Sequence, residues 1–279
     1  MTVRVVTDSS CDLPDDIAAE HGIGVVPLNI RFGTEEFVDR RDLTAAQFWA
    51  RCASSPVPPE TSAPSPGSFE QAFRAAAGEG GDAVVCITLS DRLSATGASA
   101  RTAAQALVGE LDVRVVDSRS VTLGLGMMAV AAARLAASGA SVDEVVAGAE
   151  ALVARTHVYG ALDSLDALKK GGRIGGAQAL LGSILSIKPI IEVRDGAVEP
   201  GPKQRTRSRA LAFLAERVGA AKDVENLAVM HGAAPDVETL LDQLEGFYPR
   251  DRIVVGDLGA VVGSHTGART IGVTFQAQG

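Results

Sequence analysis

Several segments of this chain set hydroxyl, imidazole or guanidinium groups beside residues that restrain a backbone. Thr61-Ser62-Ala63-Pro64-Ser65-Pro66 carries hydroxyls on a proline-stiffened stretch, and donors fixed in advance lose little entropy on binding. Ser90 to Gly97, SDRLSATG, lies between an apolar run and an Ala-rich run, where Ser94 and the first helical amides could face a carboxylate or phosphate. Gly263-Ser264-His265-Thr266-Gly267 flanks a histidine with glycines, a turn in which His265 can donate to an anion. Asp8-Ser9-Ser10 ends the first apolar run, and its groups fit either an anion site or ordinary capping. Lys169 to Arg173 and Lys203 to Arg209 are basic; Arg173 and Arg205 stand out as candidates for facing a phosphate or a partner. The bland alternatives are local hydroxyl-to-backbone bonds, a turn histidine without a ligand and solvated charges.

These segments need a scaffold, and the pattern indicates α/β. Short β-branched runs at Val3–Val6, Ala83–Thr88, Val113–Val116, Val158–Leu162, Leu227–His231 and Ile253–Val255 alternate with Ala-rich stretches. Phe69–Ala77, Ala98–Val108, Met127–Ala137 and Val145–Arg155 read as helices, and Asp12 with Pro14 marks a further helix start. Ser54 to Gly67 is an expected ordered loop, because its five prolines forbid regular helix. With 279 residues and 46% hydrophobic content, two domains are expected, at 1–155 and 156–279. The first is read as a largely parallel sheet flanked by helices. In the second, Ala177–Leu185 looks helical and Ile187–Glu192 opens a hairpin around Asp195-Gly196, giving a mixed sheet.

Several functions are disfavoured. A net charge of −8 repels a phosphate backbone, and 4% aromatic content leaves few stacking platforms for nucleic acid. The most apolar run, Val121 to Ala133, is too short for a membrane span. Cys11, Cys52 and Cys86 lack metal or disulfide spacing, which together with the missing secretory signal suits the cytoplasm. No phosphate loop, metal helix or nucleophile elbow occurs, so no cofactor is expected. Gly124-Leu125-Gly126 imitates a dinucleotide fingerprint but sits too far past its strand, and it reads as helix packing. Without a heptad pattern the expected state is a monomer.

Taken in order, the segments resemble the DegV family over nearly the whole length. The match comprises Val5-Val6-Thr7-Asp8-Ser9-Ser10 with Asp12-Leu13-Pro14, Thr61-Ser62 with Pro64-Ser65-Pro66, and Leu93-Ser94 with Thr96-Gly97. It continues through Leu168 to Ile174, Lys188-Pro189-Ile190, Lys203 with Arg205-Thr206, and His265-Thr266-Gly267. The resemblance implies a two-domain fatty acid-binding carrier, with the acyl chain in a tunnel between domains and the carboxylate held by Thr61 and Ser94. It implies that Ser62 is an alternate donor, that His265 assists, and that Arg173 and Arg205 act near the tunnel mouth or in docking. It further implies a separate ATP-dependent fatty acid kinase as partner, which makes an acyl phosphate for phospholipid synthesis. The chain departs from the family at Gly97, where tyrosine is common, and at Ala268-Arg269, where Pro-Gly is common. The rival expectation is an acyl hydrolase or transferase with Ser94 as nucleophile and His265 as base.

Overall fold

The apolar runs fold as strands and the Ala-rich runs as helices in the computed structural model, which describes residues 2–78, 80–180 and 187–278. The first half contains β1 (Val3–Asp8), α1 (Asp15–Glu20), β2 (Gly24–Val26), β3 (Asn29–Phe32), β4 (Glu35–Val38), α2 (Ala45–Ser54) and β5 (Glu60–Ser62). It continues with α3 (Pro66–Gly78), β6 (Ala83–Thr88), α4 (Thr96–Ala106), β7 (Asp112–Asp117), α5 (Leu123–Ala137) and α6 (Val142–Val153). The second half contains β8 (Thr156–Ala161), α7 (Asp166–Lys170), β9 (Lys188–Arg194), β10 (Ala197–Gln204), α8 (Arg207–Gly219) and β11 (Glu225–His231). The chain closes with α9 (Val237–Leu244), β12 (Val254–Asp257), α10 (Ala260–Thr266) and β13 (Ile271–Gln276).

Strands β2-β1-β6-β7 form a wholly parallel sheet. Every residue of β6 is buried, as expected for a parallel strand covered on both faces. Val6, Val84 and Cys86 pack with Phe69, Phe73 and Leu107 on one side. Val5, Val85 and Ile87 point the other way, into the cluster that contains Leu125, Ala129 and Val145 of α5 and α6. The alternating residues of each strand thus serve two helical layers.

The larger sheet has the order β10-β9-β8-β13-β11-β12 and is mixed, since β11 and β12 pair in parallel and the other neighbours antiparallel. Tyr159, Val229, Val273 and Phe275 share one cluster with Leu211, Leu214, Leu240 and Leu244 of α8 and α9. On the opposite face Val158, Ala228 and Met230 join the core of the first half. Helix α5 is wedged between the two sheets, and two glycines permit the approach. A side chain at Gly124 would strike Val158 Cγ2 at 2.5 Å, and one at Gly126 would strike Cys11 O at 2.7 Å. The Gly124-Leu125-Gly126 run is helix packing, as its sequence context indicates.

The structure corrects several local expectations. Glu60–Ser62 is a short edge strand of a third, antiparallel sheet, β4-β3-β5, in place of the expected loop. Its flanking prolines are compatible with an edge position, where fewer backbone N–H groups are needed. Asp12 does not cap α1, which starts after Pro14. Asp12 adopts a left-handed backbone (φ 50°), and its Oδ1 accepts from the Gly259 N–H at 2.9 Å, just before α10. Residues 177–180 lie in a 3-10 turn, Gly175–Leu180, and the remainder of the expected helix at Ala177–Leu185 falls outside the described residues. The hairpin at Asp195-Gly196 is present, with left-handed φ at both positions, as a tight two-residue turn requires.

Asp8, Ser9 and Ser10 act as braces. Asp8 accepts from Ser10 N at 3.1 Å and Leu89 N at 2.8 Å, and Ser9 Oγ accepts from Leu28 N at 3.0 Å. Burial outweighs these bonds and pushes the Asp8 carboxyl up to about 6, and burial pushes Asp12 up to about 8. Both groups keep their proton to higher pH in the folded chain than in the unfolded one, where carboxyls release it near 4. The stability they contribute is full below that pH and is lost as pH rises through about 6 for Asp8 and about 8 for Asp12. Each contributes a slope of up to about 1.4 kcal/mol per pH unit. Urea midpoints should therefore fall between pH 5 and 9, and Asp12→Asn should flatten the upper part. A midpoint rising over that range would contradict the assignment.

Candidate functional site

An apolar cavity lies where the two halves meet, enclosing about 910 Å³ of empty space, its open mouth included. The first half contributes Leu28, Leu89, Leu93 and Val121, and the second contributes Val158, Ile191, Val193, Met230 and Val261. Thr61, Ser62, Ser94, Arg173 and His265 also line it, so five of the six sequence candidates converge on one space. They come from β5, the loop before α4, the segment after α7 and the end of α10.

Each is held by its own local device. Pairing of β5 with β3 sets Thr61 opposite Ile30. Ser94 follows the β6 strand end, where Ser90 Oγ donates to Gly196 O at 2.7 Å and ties this loop to the hairpin tip of the other half. Arg92 Nη1 adds a bond to Asp195 O at 3.1 Å. His265 sits in the last turn of α10, which replaces the expected free turn. That helix presses on α2, since a side chain at Gly263 would meet Phe48 and Trp49 at 2.7 Å. Trp49 Nε1 donates to Leu258 O at 3.1 Å and fixes the approach. Gly171 is needed because any side chain there would run into His265 Nδ1.

The polar contacts are specific. Thr61 Oγ1 and His265 Nε2 are hydrogen-bonded at 2.8 Å, and Ser94 Oγ lies 2.8 Å from Thr96 Oγ1. Arg173 Nε donates to Leu93 O at 3.1 Å and Nη1 to Gly171 O at 2.7 Å, which holds the guanidinium at the cavity wall. Burial, with the Arg173 charge second, pulls the His265 imidazole down to about 4, so it is neutral at pH 7. The cavity's polar residues thus offer hydroxyls, a neutral imidazole and one guanidinium, a donor set for a single anionic group beside an apolar wall.

Arg205 lies elsewhere, exposed in the bend between β10 and α8, and does not line the cavity. Arg269 is also drawn away, forming an ion pair with Asp163 at 2.9 Å; Asp163 additionally receives Lys188 at 2.7 Å. The space beside Gly97 is occupied by the Asp91 carboxylate, which is paired with Arg101 at 2.8 Å. Sequence reasoning missed Leu28, Met230 and Gly272 as cavity residues, since their neighbours in space are remote in the chain. Among the described residues no group of acids, histidines and cysteines could hold a metal ion, and no helix is long and apolar enough to cross a membrane.

The model of the DegV family, described as an uncharacterised protein family, matches residues 2–278. This chain belongs to the DegV family. A DegV domain-containing protein of Streptomyces coelicolor is 39% identical to it, with 99% of each chain covered. Among solved structures, a DegV family protein from Thermus thermophilus described by its fatty acid binding superposes with a TM-score of 0.90 at 34% identity, covering 100% of both chains. DegV of Bacillus subtilis, described as a fatty acid binding protein, gives 0.87 at 29% identity and the same coverage. A stearic acid-binding protein from Eubacterium ventriosum gives 0.85 at 25% identity, with 99% of this chain and 98% of that one covered.

Proposed function

We propose that this DegV protein is a carrier that holds one long-chain fatty acid in the cavity and presents its carboxylate to a separate ATP-dependent kinase, which makes the acyl phosphate. The observation that carries it is the union of an apolar cavity with the donors of Thr61, Ser94, Arg173 and His265. Residues 1–155 and 156–279 are the two units whose junction forms the site. Burying about 15 methylenes at about 0.8 kcal/mol each yields on the order of 12 kcal/mol before binding costs, so the tail dominates affinity. The polar groups then orient the head. Hydroxyls and a neutral imidazole hold a carboxylate without neutralising the oxygen that must attack the phosphoryl donor. Among the described residues Arg173 is the one cation lining the cavity, and Arg205 is available on the surface for the partner. The free thiols Cys11, Cys52 and Cys86 are compatible with a reducing cytoplasm.

A carrier is favoured over an acyl hydrolase because His265 bonds Thr61 and Ser94 bonds Thr96, with no hydrogen bond joining Ser94 to His265 among the described residues. Mass spectrometry of lipid extracted from the purified protein, with the native mass of the complex, tests the proposal. One fatty acid per chain is expected; its absence, with no thermal shift on adding fatty acids, would overturn it. Ser94→Ala should slow phosphorylation of the bound lipid at least several-fold and leave lipid uptake within about twofold, as expected for a group that acts after binding. Equal phosphorylation rates in single-turnover assays would remove Ser94 from the head-group site.

A further inference from the structure

Thr61, Arg173 and His265 line the apolar cavity on one side and a second, open groove on the other. They form the partition between the two spaces. The groove encloses about 1320 Å³ of empty space, open solvent included. Beyond the partition it is lined by Glu60 of β5, Asp166 and Lys170 of α7, and Ser264 of α10. Lys170 is tied to the partition through the backbone, because the next residue, Gly171, lies against the His265 ring and accepts a hydrogen bond from Arg173.

Charge decides what the groove can take. A fatty acid carboxylate carries one negative charge, and Arg173 supplies one positive charge; the His265 imidazole is neutral at pH 7 and adds none. Phosphorylation changes that balance. A carboxylate oxygen bonds the terminal phosphorus of ATP while the bond from that phosphorus to its bridging oxygen breaks, the electron pair leaving with ADP. The head group then carries about two negative charges. The cavity wall is apolar, and an unpaired charge buried there is costly, so the added group belongs on the groove side. Among the described residues Lys170 is the one cation besides Arg173 that lines the groove. It is exposed and enters no ion pair among those residues. Of the two acids there, Glu60 is paired with Arg31, which leaves Asp166 against the two cations. A lysine ammonium is a compact point charge on a flexible stem, suited to a phosphate that arrives and leaves.

We infer that the groove outside the Thr61 and His265 pair is a phosphoryl-binding subsite, in which Lys170 holds the phosphate of an acyl phosphate whose carbonyl end stays at the partition. The inference rests on the fatty acid kinase reading above, and its test needs no kinase. The probe is a long-chain 2-oxoalkylphosphonate, in which a methylene replaces the bridging oxygen of the acyl phosphate. Its affinity for the purified, delipidated protein is compared with that of the fatty acid of equal chain length, by displacement of a fluorescent fatty acid. Wild-type protein should bind both. Lys170→Met should weaken the phosphonate about 5-fold or more, the scale of one partly exposed ion pair, and leave the fatty acid within about twofold. Lys170→Arg, which keeps the charge, should restore most of the phosphonate affinity. Lys169→Met removes the same charge from an exposed neighbour that does not line the groove and should change neither ligand. Unchanged phosphonate affinity in Lys170→Met, an equal loss in Lys169→Met, or an equal loss of the fatty acid overturns this inference, as does wild-type protein that takes the fatty acid and refuses the phosphonate. In each of those cases the fatty acid reading stands. Failure of the wild-type protein to bind either ligand overturns both.

Discussion

Gly124→Val should cost about 3 kcal/mol or more of stability, shown by a large drop in the urea midpoint, and should abolish lipid uptake with it. The added carbons would be driven into Ser120 and into Val158 Cγ2, with Thr274 Oγ1 only 3.3 Å from the first of them. Overpacking usually costs about 1–3 kcal/mol because neighbours yield. Here they cannot, since α5 is trapped between two sheets and every residue from Leu123 to Val130 is buried. Against a typical total of about 5–15 kcal/mol, that loss removes much of the margin. Val158 is also a cavity wall residue, so any relaxation that spares the fold narrows the cavity. Gly124→Ala should be milder but still destabilising, despite the higher helix propensity of alanine. An unchanged midpoint for the valine variant would show that α5 does not sit as tightly as the glycine contacts require.

Val193→Asp should weaken fatty acid binding by at least about 100-fold, measured by displacement of a fluorescent fatty acid. Val193 lines the cavity beside Val158 and packs against the main apolar core, and among the described residues the one cation lining the cavity is Arg173, at the polar cluster. A carboxylate there must remain hydrated, take up a proton or lie against the acyl chain. Each alternative costs several kcal/mol, and about 3 kcal/mol already corresponds to more than 100-fold in affinity. Val193→Ala is the control. It removes two methyl groups without adding charge and should lose about 15-fold at most, from about 0.8 kcal/mol for each. Equal effects of the two variants would mean that the tail does not pass Val193.

The elements with strong local signals were legible in the sequence. The run of β6, buried at every residue, and that of β1, buried at all but Arg4, indicate parallel strands, and the Ala-rich stretches after them indicate helices. Ile271–Gln276 escaped, although Ile271, Val273 and Phe275 alternate with Gly272, Thr274 and Gln276, because the glycine and the terminal position obscure a central strand. Glu60–Ser62 was hidden by its prolines, and its strand character depends on β3 being beside it. His265 shows the same limit. Flanking glycines suggest a turn, yet one of them, Gly263, is there so that α10 can lie against Phe48 and Trp49.

By itself the sequence determined the α/β class, the parallel first sheet and mixed second sheet, the family, and the residue types able to hold an anion. These depend on periodicity, turn chemistry and motif order, which are local or nearly so. Tertiary structure alone decided which of those residues meet. It brought Thr61 to His265 and Ser94 to the same cavity as Arg173, while sending Arg205 to the surface and Arg269 to Asp163. Strand register and the docking of two sheets across α5 are long-range packing outcomes, and no window of sequence contains both partners of such a contact.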